Sequence, residues 1–299
     1  MKSTTLRRAG LTIAAVTVLS AVTSCSSGDS GGSEGSKGSG KNGAARFSPL
    51  AALRSAEKST DAADSAKVES STTMGSVMSM TADGALGWGD GLTGTLTITY
   101  TGGTMAETMR QTGSTSMEAR YLPDAYYAKM GDAFAAQAGG KHWIKYAYDD
   151  LETLAGGSGA YLKDQMQNTT PNQSVKLLLA SGDVRKVGEE KVRGQQTTHY
   201  SGTVDVADLA SKNSNLSQKQ LDDLKKQLDQ AGVTTETVDI WVNDDDLLVK
   251  KVEKGETTAG AFTQTAYYSD YGTPVSAEEP PASDTADFAE LVQQQGGTS

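Results

Sequence analysis

Few residues in this chain of 299 have types that do chemistry: one cysteine, two histidines and 37 carboxylates, against 27 lysines and arginines. With Cys25 as the sole thiol, neither an intramolecular disulfide nor a thiolate metal cluster can form. His142 and His199 each fall in a strand-like stretch with no second ligand at metal spacing, and alternation puts His199 on a polar, exposed face. Three formal motifs sit in the wrong context. Gly89 to Gly94 fits a dinucleotide fingerprint, yet a strand follows it where a helix N-terminus is required, so it is expected to be a hairpin turn. Gly31 to Gly35 fits a nucleophile elbow inside a Gly/Ser linker that cannot hold strain. Ser55-Ala56-Glu57-Lys58 lacks companion motifs, and Asp244 to Asp246 lacks the spacing and glycine of a calcium loop. No nucleophile–base pair emerges, so the chain is expected to be non-enzymatic, with no cofactor and no metal. Its net charge of −10 argues against nucleic acid, whose readers need a basic face.

The position of Cys25 gives the thiol its role. Lys2, Arg7 and Arg8 form a positive segment, followed by an apolar stretch over residues 9–22. That length suits a signal peptide rather than a spanning helix, which needs about 20 residues. Val22-Thr23-Ser24-Cys25 resembles a bacterial lipobox, with Val22 where leucine is usual. The resemblance implies that Cys25 is acylated and becomes the first residue. Beyond it lies a Gly/Ser tether without core-forming residues, with a reach of about 25 Å from roughly 5–6 Å times the square root of its length. The expected organisation is a signal peptide at 1–24, a lipidated tether at 25–46, a folded body at 47–292 and a disordered tail at 293–299. Since the acidic body is repelled by anionic headgroups, attachment to the outer face of the cell membrane must come from the lipid.

Within the body, Ser48-Pro49 opens a helix over 48–60 with Leu50, Leu53 and Ala56 on one stripe. Strands are expected at Val68–Met80, Thr95–Tyr100, Met117–Tyr121, Tyr126–Met130, Lys141–Tyr146, from Val184 to Val206, at Thr237–Val242, at Leu247–Val252 and, last, at Ala261–Tyr268. A helical middle spans 149–167 and 174–180, with Pro171 as an interruption. A capping box at Ser217–Gln220 starts a helix striped by Leu221, Leu224 and Leu228 and closed at Gly232; a short helix lies near Phe288. The order predicts an α+β fold with a mostly antiparallel sheet, one face wet and the other covered by helices. Strand alternation puts Leu96, Ile98 and Tyr100 on one face, and likewise Val238, Ile240 and Val242.

Three segments carry a family resemblance: Gly188 to Gly194 followed by Thr197-Thr198-His199-Tyr200, Asp239-Ile240-Trp241-Val242 before a polar turn, and Ser65-Ala66-Lys67-Val68. Together they resemble the actinobacterial LppX/LprG-type lipoproteins and, more distantly, the LolA/LolB carriers, over about residues 47–292. The resemblance implies a curved antiparallel half-barrel with helices over its concave side and a hydrophobic cavity for acyl chains. It carries over no catalytic residues. The expected ligand is a lipid or acylated glycolipid, held by Leu96, Ile98, Tyr100, Val238, Ile240 and Val242 under the Leu221/Leu224/Leu228 stripe. The alternative is an envelope sensor or scaffold that binds a protein partner. If Cys25 is the anchor, Cys25→Ser releases the protein from the membrane fraction or stalls its processing. A variant that fractionates like the parent, with no diacylglycerol adduct found by mass spectrometry, refutes the anchor.

Overall fold

The computed structural model describes residues 48–111, 113–155, 163, 166–167, 170–205 and 232–296. Alternating sequences dominate these residues, and they build one 12-stranded sheet. The strands are β1 (Ser65–Met74), β2 (Met78–Gly87), β3 (Thr93–Gly102), β4 (Ser116–Tyr121), β5 (Ala125–Lys129), β6 (Trp143–Ala147), β7 (Arg185–Val192), β8 (Gln195–Asp205), β9 (Thr235–Asn243), β10 (Leu248–Thr257), β11 (Gly260–Ser269) and β12 (Thr285–Asp287). Their order is β12-β6-β5-β4-β3-β2-β1-β11-β10-β9-β8-β7. Two meanders therefore meet where β1 pairs with β11, and every neighbouring pair is antiparallel except β12 with β6. The helices are α1 (Pro49–Ala62), α2 (Gly103–Gln111), α3 (Asp132–Ala135), α4 (Tyr148–Ala155), α5 (Pro171–Ala180) and α6 (Phe288–Gly296). The α+β fold with an open, curved, mostly antiparallel sheet is the one expected.

Several local expectations are corrected. The run Val68–Met80 is a hairpin rather than one strand, because Gly75 turns the chain at φ +47° where a Cβ would lie 1.9 Å from the Ala259 carbonyl oxygen. Pro171 begins α5 at its first turn, where its fixed φ and missing N–H cost nothing. Leu50 is exposed; α1 buries Leu53, Ala56 and Thr60, and the Thr60 hydroxyl accepts the Leu248 N–H at 3.2 Å. The strand at Ala261–Tyr268 is not the last, since β12 returns along β6 with parallel register Thr285↔Trp143. The short helices α2 and α3 were not anticipated; α2 buries only Ala106 and Met109 and so leaves little periodic signal.

One sheet face carries the main core. Leu53 and Ala56 of α1 and Val175, Leu177 and Leu178 of α5 pack on Ala66, Val68, Val204, Val238, Ile240, Val242, Leu248, Ala266 and Tyr268. The opposite face was expected to be wet, yet it holds Val192, Trp241, Val249 and Val252 as a second cluster. Cations cap its aromatic rings: Lys250 lies 4.0 Å from the Trp241 centroid, Arg193 3.9 Å from Tyr267, and Arg120 4.6 Å from Trp143. Long side chains thus cover apolar rings while keeping their charges in water. Because Leu177 is fully buried between helix and sheet, Leu177→Ala is expected to cost about 2–5 kcal/mol in urea unfolding. Thr97→Ala, at an exposed strand position, is expected to stay within about 0.5 kcal/mol.

Candidate apolar recess and buried acid pair

Sheet register places the candidate residues. On the core-bearing face, Ser70 pairs with Ala82, Ala82 with Ile98, and Ile98 with Met117. The next inward row runs from Glu253 through Gln264, Thr72 and Met80 to Tyr100. Neighbouring strands lie about 4.8 Å apart, so that row crosses roughly 19 Å of sheet. It is polar at the β10 end and apolar at the β3 end.

Burial separates the expected site residues into two groups. Val238, Ile240 and Val242 are buried in the main core with Leu96. Ile98 and Tyr100 remain half-buried on the same face, as do Met80 and Met117 beside them. The structure thus brings all six expected residues onto one face, but only the Ile98–Tyr100 end keeps accessible apolar surface. Leu221, Leu224, Leu228 and Cys25 lie outside the described residues. Alternation in β2 and β4 carries the signal that adds Met80 and Met117 to this group.

Beyond Met117 the face becomes aromatic. Tyr121 and Tyr126 have ring centroids 5.1 Å apart, Tyr126 and Tyr146 5.7 Å, and Tyr146 and Phe288 4.7 Å. Burial pushes the phenols of Tyr121 and Tyr146 up to about 12, although both side chains keep some accessible surface. Desolvation also raises Tyr100. The buried Tyr148 hydroxyl finds no partner among the described residues.

At the polar end lies an acid pair that the sequence reading passed over. Glu253 is fully buried; it accepts a hydrogen bond from the Ser174 hydroxyl of α5 at 2.8 Å and one from the Lys251 ammonium at 2.9 Å. Glu236 is buried close by, and its Oε1 finds no hydrogen-bond partner among the described residues. Burial first, and then the Glu253 charge, hold the Glu236 carboxyl well above the ordinary carboxylate range, while Lys251 opposes them. Its parity with Val238, Ile240 and Val242 is the signal that places Glu236 inward.

The histidines sit otherwise than expected. His199 is not an exposed residue: its Nε2 lies 2.8 Å from Asp239 Oδ1 and its ring stacks 4.1 Å from Trp241. His142 precedes β6, with Nδ1 2.7 Å from Asp284 Oδ1 and its backbone N–H donating to the same oxygen at 2.9 Å. These hydrogen bonds hold the Asp284 carboxyl below its ordinary range. Both rings therefore have carboxylate partners, supplied by the fold from residues 40 and 142 positions away.

No protein-family model matches the chain. It is 61% identical over 255 residues to a Streptomyces griseus protein named "Uncharacterized 31.2 kDa protein in rplA-rplJ intergenic region", covering 85% of this chain and 84% of that protein. It is also 61% identical over 245 residues to the Streptomyces coelicolor protein named "Putative lipoprotein SCO4650", covering 82% and 77%. The chain belongs to the family of these two streptomycete proteins. Among solved structures it is similar to that of the Mycobacterium tuberculosis lipoprotein LppX, with TM-score 0.47 and 17% identity over 77% of this chain and 98% of that one. The name of the Streptomyces coelicolor relative accords with the expected resemblance to lipoproteins. No helix among the described residues is long and apolar enough to cross a membrane.

The acid pair makes stability depend on pH in a direction that can be worked out. A carboxyl whose folded pKa is raised binds its proton more tightly folded than unfolded. Its contribution is therefore fully present below the ordinary value of 4.5 and is lost as pH rises above it. As pH rises from about 5 the melting temperature of the protein is expected to fall, and Glu236→Gln should flatten that slope. An identical slope in parent and variant would show that Glu236 does not carry it.

Proposed function

We propose that this protein is a lipoprotein anchored through Cys25 to the extracytoplasmic face of the cell membrane, and that it holds the acyl chain of a lipid or acylated glycolipid without performing chemistry on it. The supporting observation is the half-buried apolar group Met80, Ile98, Tyr100 and Met117, set beside desolvated tyrosines on the face that carries the core. An acyl chain there would remove apolar surface from water, at about 25 cal/mol per Å². The Leu221/Leu224/Leu228 stripe is assigned to close over it, and the Gly/Ser tether to let the body move clear of the headgroups. In this reading Val238, Ile240 and Val242 form the packed floor that keeps the recess rigid.

Ile98→Trp tests the recess, because a filled core and an open one respond oppositely. In a filled core the added volume costs about 1–3 kcal/mol through overpacking. In a recess the variant should unfold within about 0.5 kcal/mol of the parent. Its uptake of a dansyl-labelled fatty acid should also fall about tenfold, a change of roughly 1.4 kcal/mol in binding. Thr97→Trp, on the exposed side of the same strand, should change neither measurement. A strongly destabilised Ile98→Trp, from a parent that takes up no fatty acid, would refute the carrier and favour a scaffold for a protein partner.

A further inference from the structure

A concavity lies apart from the half-buried group around Ile98 and Tyr100, none of whose residues lines it. It opens where the end of α1, the connection from β2 to β3 and the start of α5 come together. It holds about 220 Å³ and is lined chiefly by polar groups: Asp61, Thr170, Asn172 and Lys176, with Trp88 and Leu92 as its apolar members. At about 30 Å³ of liquid volume per water, this is space for roughly seven waters. That is the scale of one six-membered ring, and too short and too polar for an acyl chain.

The lining is held in place. The Trp88 N–H donates to the Asp61 carbonyl oxygen at 3.0 Å, and the ring meets Tyr271 edge-on with centroids 6.4 Å apart. What Trp88 has left for the cleft is ring surface. The Asn172 amide donates to Asp61 Oδ1 and its carbonyl accepts from the Thr170 hydroxyl. Each of these groups has further capacity by its chemistry: a second amide N–H on Asn172, Oδ2 on Asp61, and ammonium protons on Lys176, whose ion-pair partner among the described residues is Glu57 at 4.0 Å. The cleft thus offers both donors and acceptors together with a fixed aromatic plate. A phosphate is anionic and would be repelled by the Asp61 carboxylate. An ammonium only donates and would meet Lys176. A hydroxyl both donates and accepts, and a ring bearing several can satisfy all these groups at once while laying its C–H face on the indole.

We propose that this cleft binds one neutral, polyhydroxylated ring, a sugar or cyclitol, independently of the acyl-chain site. The ring's source is either a free or polymeric saccharide or the headgroup of a glycolipid.

The test is ligand-observed NMR on the purified protein with methyl β-D-glucopyranoside, methyl α-D-mannopyranoside and myo-inositol. At least one ring should bind saturably, and inorganic phosphate should not displace it. Trp88→Leu removes the plate. Lys176→Gln removes the rim ammonium at a half-buried position. Each should weaken binding about tenfold, near 1.4 kcal/mol. Ile98→Trp should leave ring binding unchanged, so that loss of fatty-acid uptake there and loss of ring binding here are separate results. Octyl β-D-glucopyranoside identifies the source: binding tighter than that of the methyl glycoside places the ring on a lipid, and equal binding places it on a saccharide. The proposal is overturned if none of the three rings saturates, if phosphate competes as well as the rings do, or if both substitutions leave binding unchanged.

Discussion

Eight paired positions, from Lys67↔Ser269 to Met74↔Phe262, join the two meanders into one sheet. Everything described on the inner face depends on that β1–β11 seam. It aligns Gln264 with Thr72, 192 residues earlier, and so continues the Glu253–Gln264 register into Met80 and Tyr100. A slip of one residue would turn Ala66, Val68 and Thr72 outward and bring Lys67, Glu69 and Thr73 onto the core. Main-chain hydrogen bonds hold the seam, but burial of alternate side chains selects its register. The Arg193–Glu69 pair, with both oxygens engaged at 2.8–2.9 Å, ties β1 to the turn after β7 on the far face. It is solvent-exposed and adds little by comparison.

The two halves of the inner face are finished differently. Over β8 to β10 the helices α1 and α5 fill the surface, and the hydroxyls of Ser174 and Thr60 satisfy polar groups beneath them. Burying Glu253 and Lys251 together is weak evidence for stability, because each charge must be desolvated. Glu236 lies beside them, with an oxygen that finds no partner among the described residues. Over β2 to β4 the face instead keeps half-buried methionine, isoleucine and tyrosine. Methionine suits such a place, being unbranched and able to repack around different shapes.

The outer face shows how a thin, acidic domain protects its aromatic residues. Trp241 is stacked by His199 on the sheet, covered by Lys250, and bonded through its N–H to Glu190 at 2.6 Å. This arrangement of ring, cation and carboxylate gives His199 a structural task, with Asp239 orienting the imidazole. The residues that most resemble chemistry in the sequence are thereby occupied in holding the sheet together.

What could be read from the sequence was periodic or local. Alternation in Thr95–Tyr100 and Thr237–Val242 set strand, face and parity, and Pro49 marked the start of α1, because each depends on neighbours within a few residues. The fold class followed from the order of such segments, and the single cysteine limited the chain to one thiol chemistry. Three things were decided only by tertiary structure. Carboxylate partners for His142 and His199 come from residues 142 and 40 positions away, beyond the reach of any spacing rule. The difference between Ile240, sealed under helices, and Ile98, half open, cannot be seen from two isoleucines of equal parity, because coverage is a property of what packs above them. The cleft at Trp88 draws its lining from α1, a β-connection and α5, and its mixture of donors and acceptors exists only once long-range packing has brought three distant segments together.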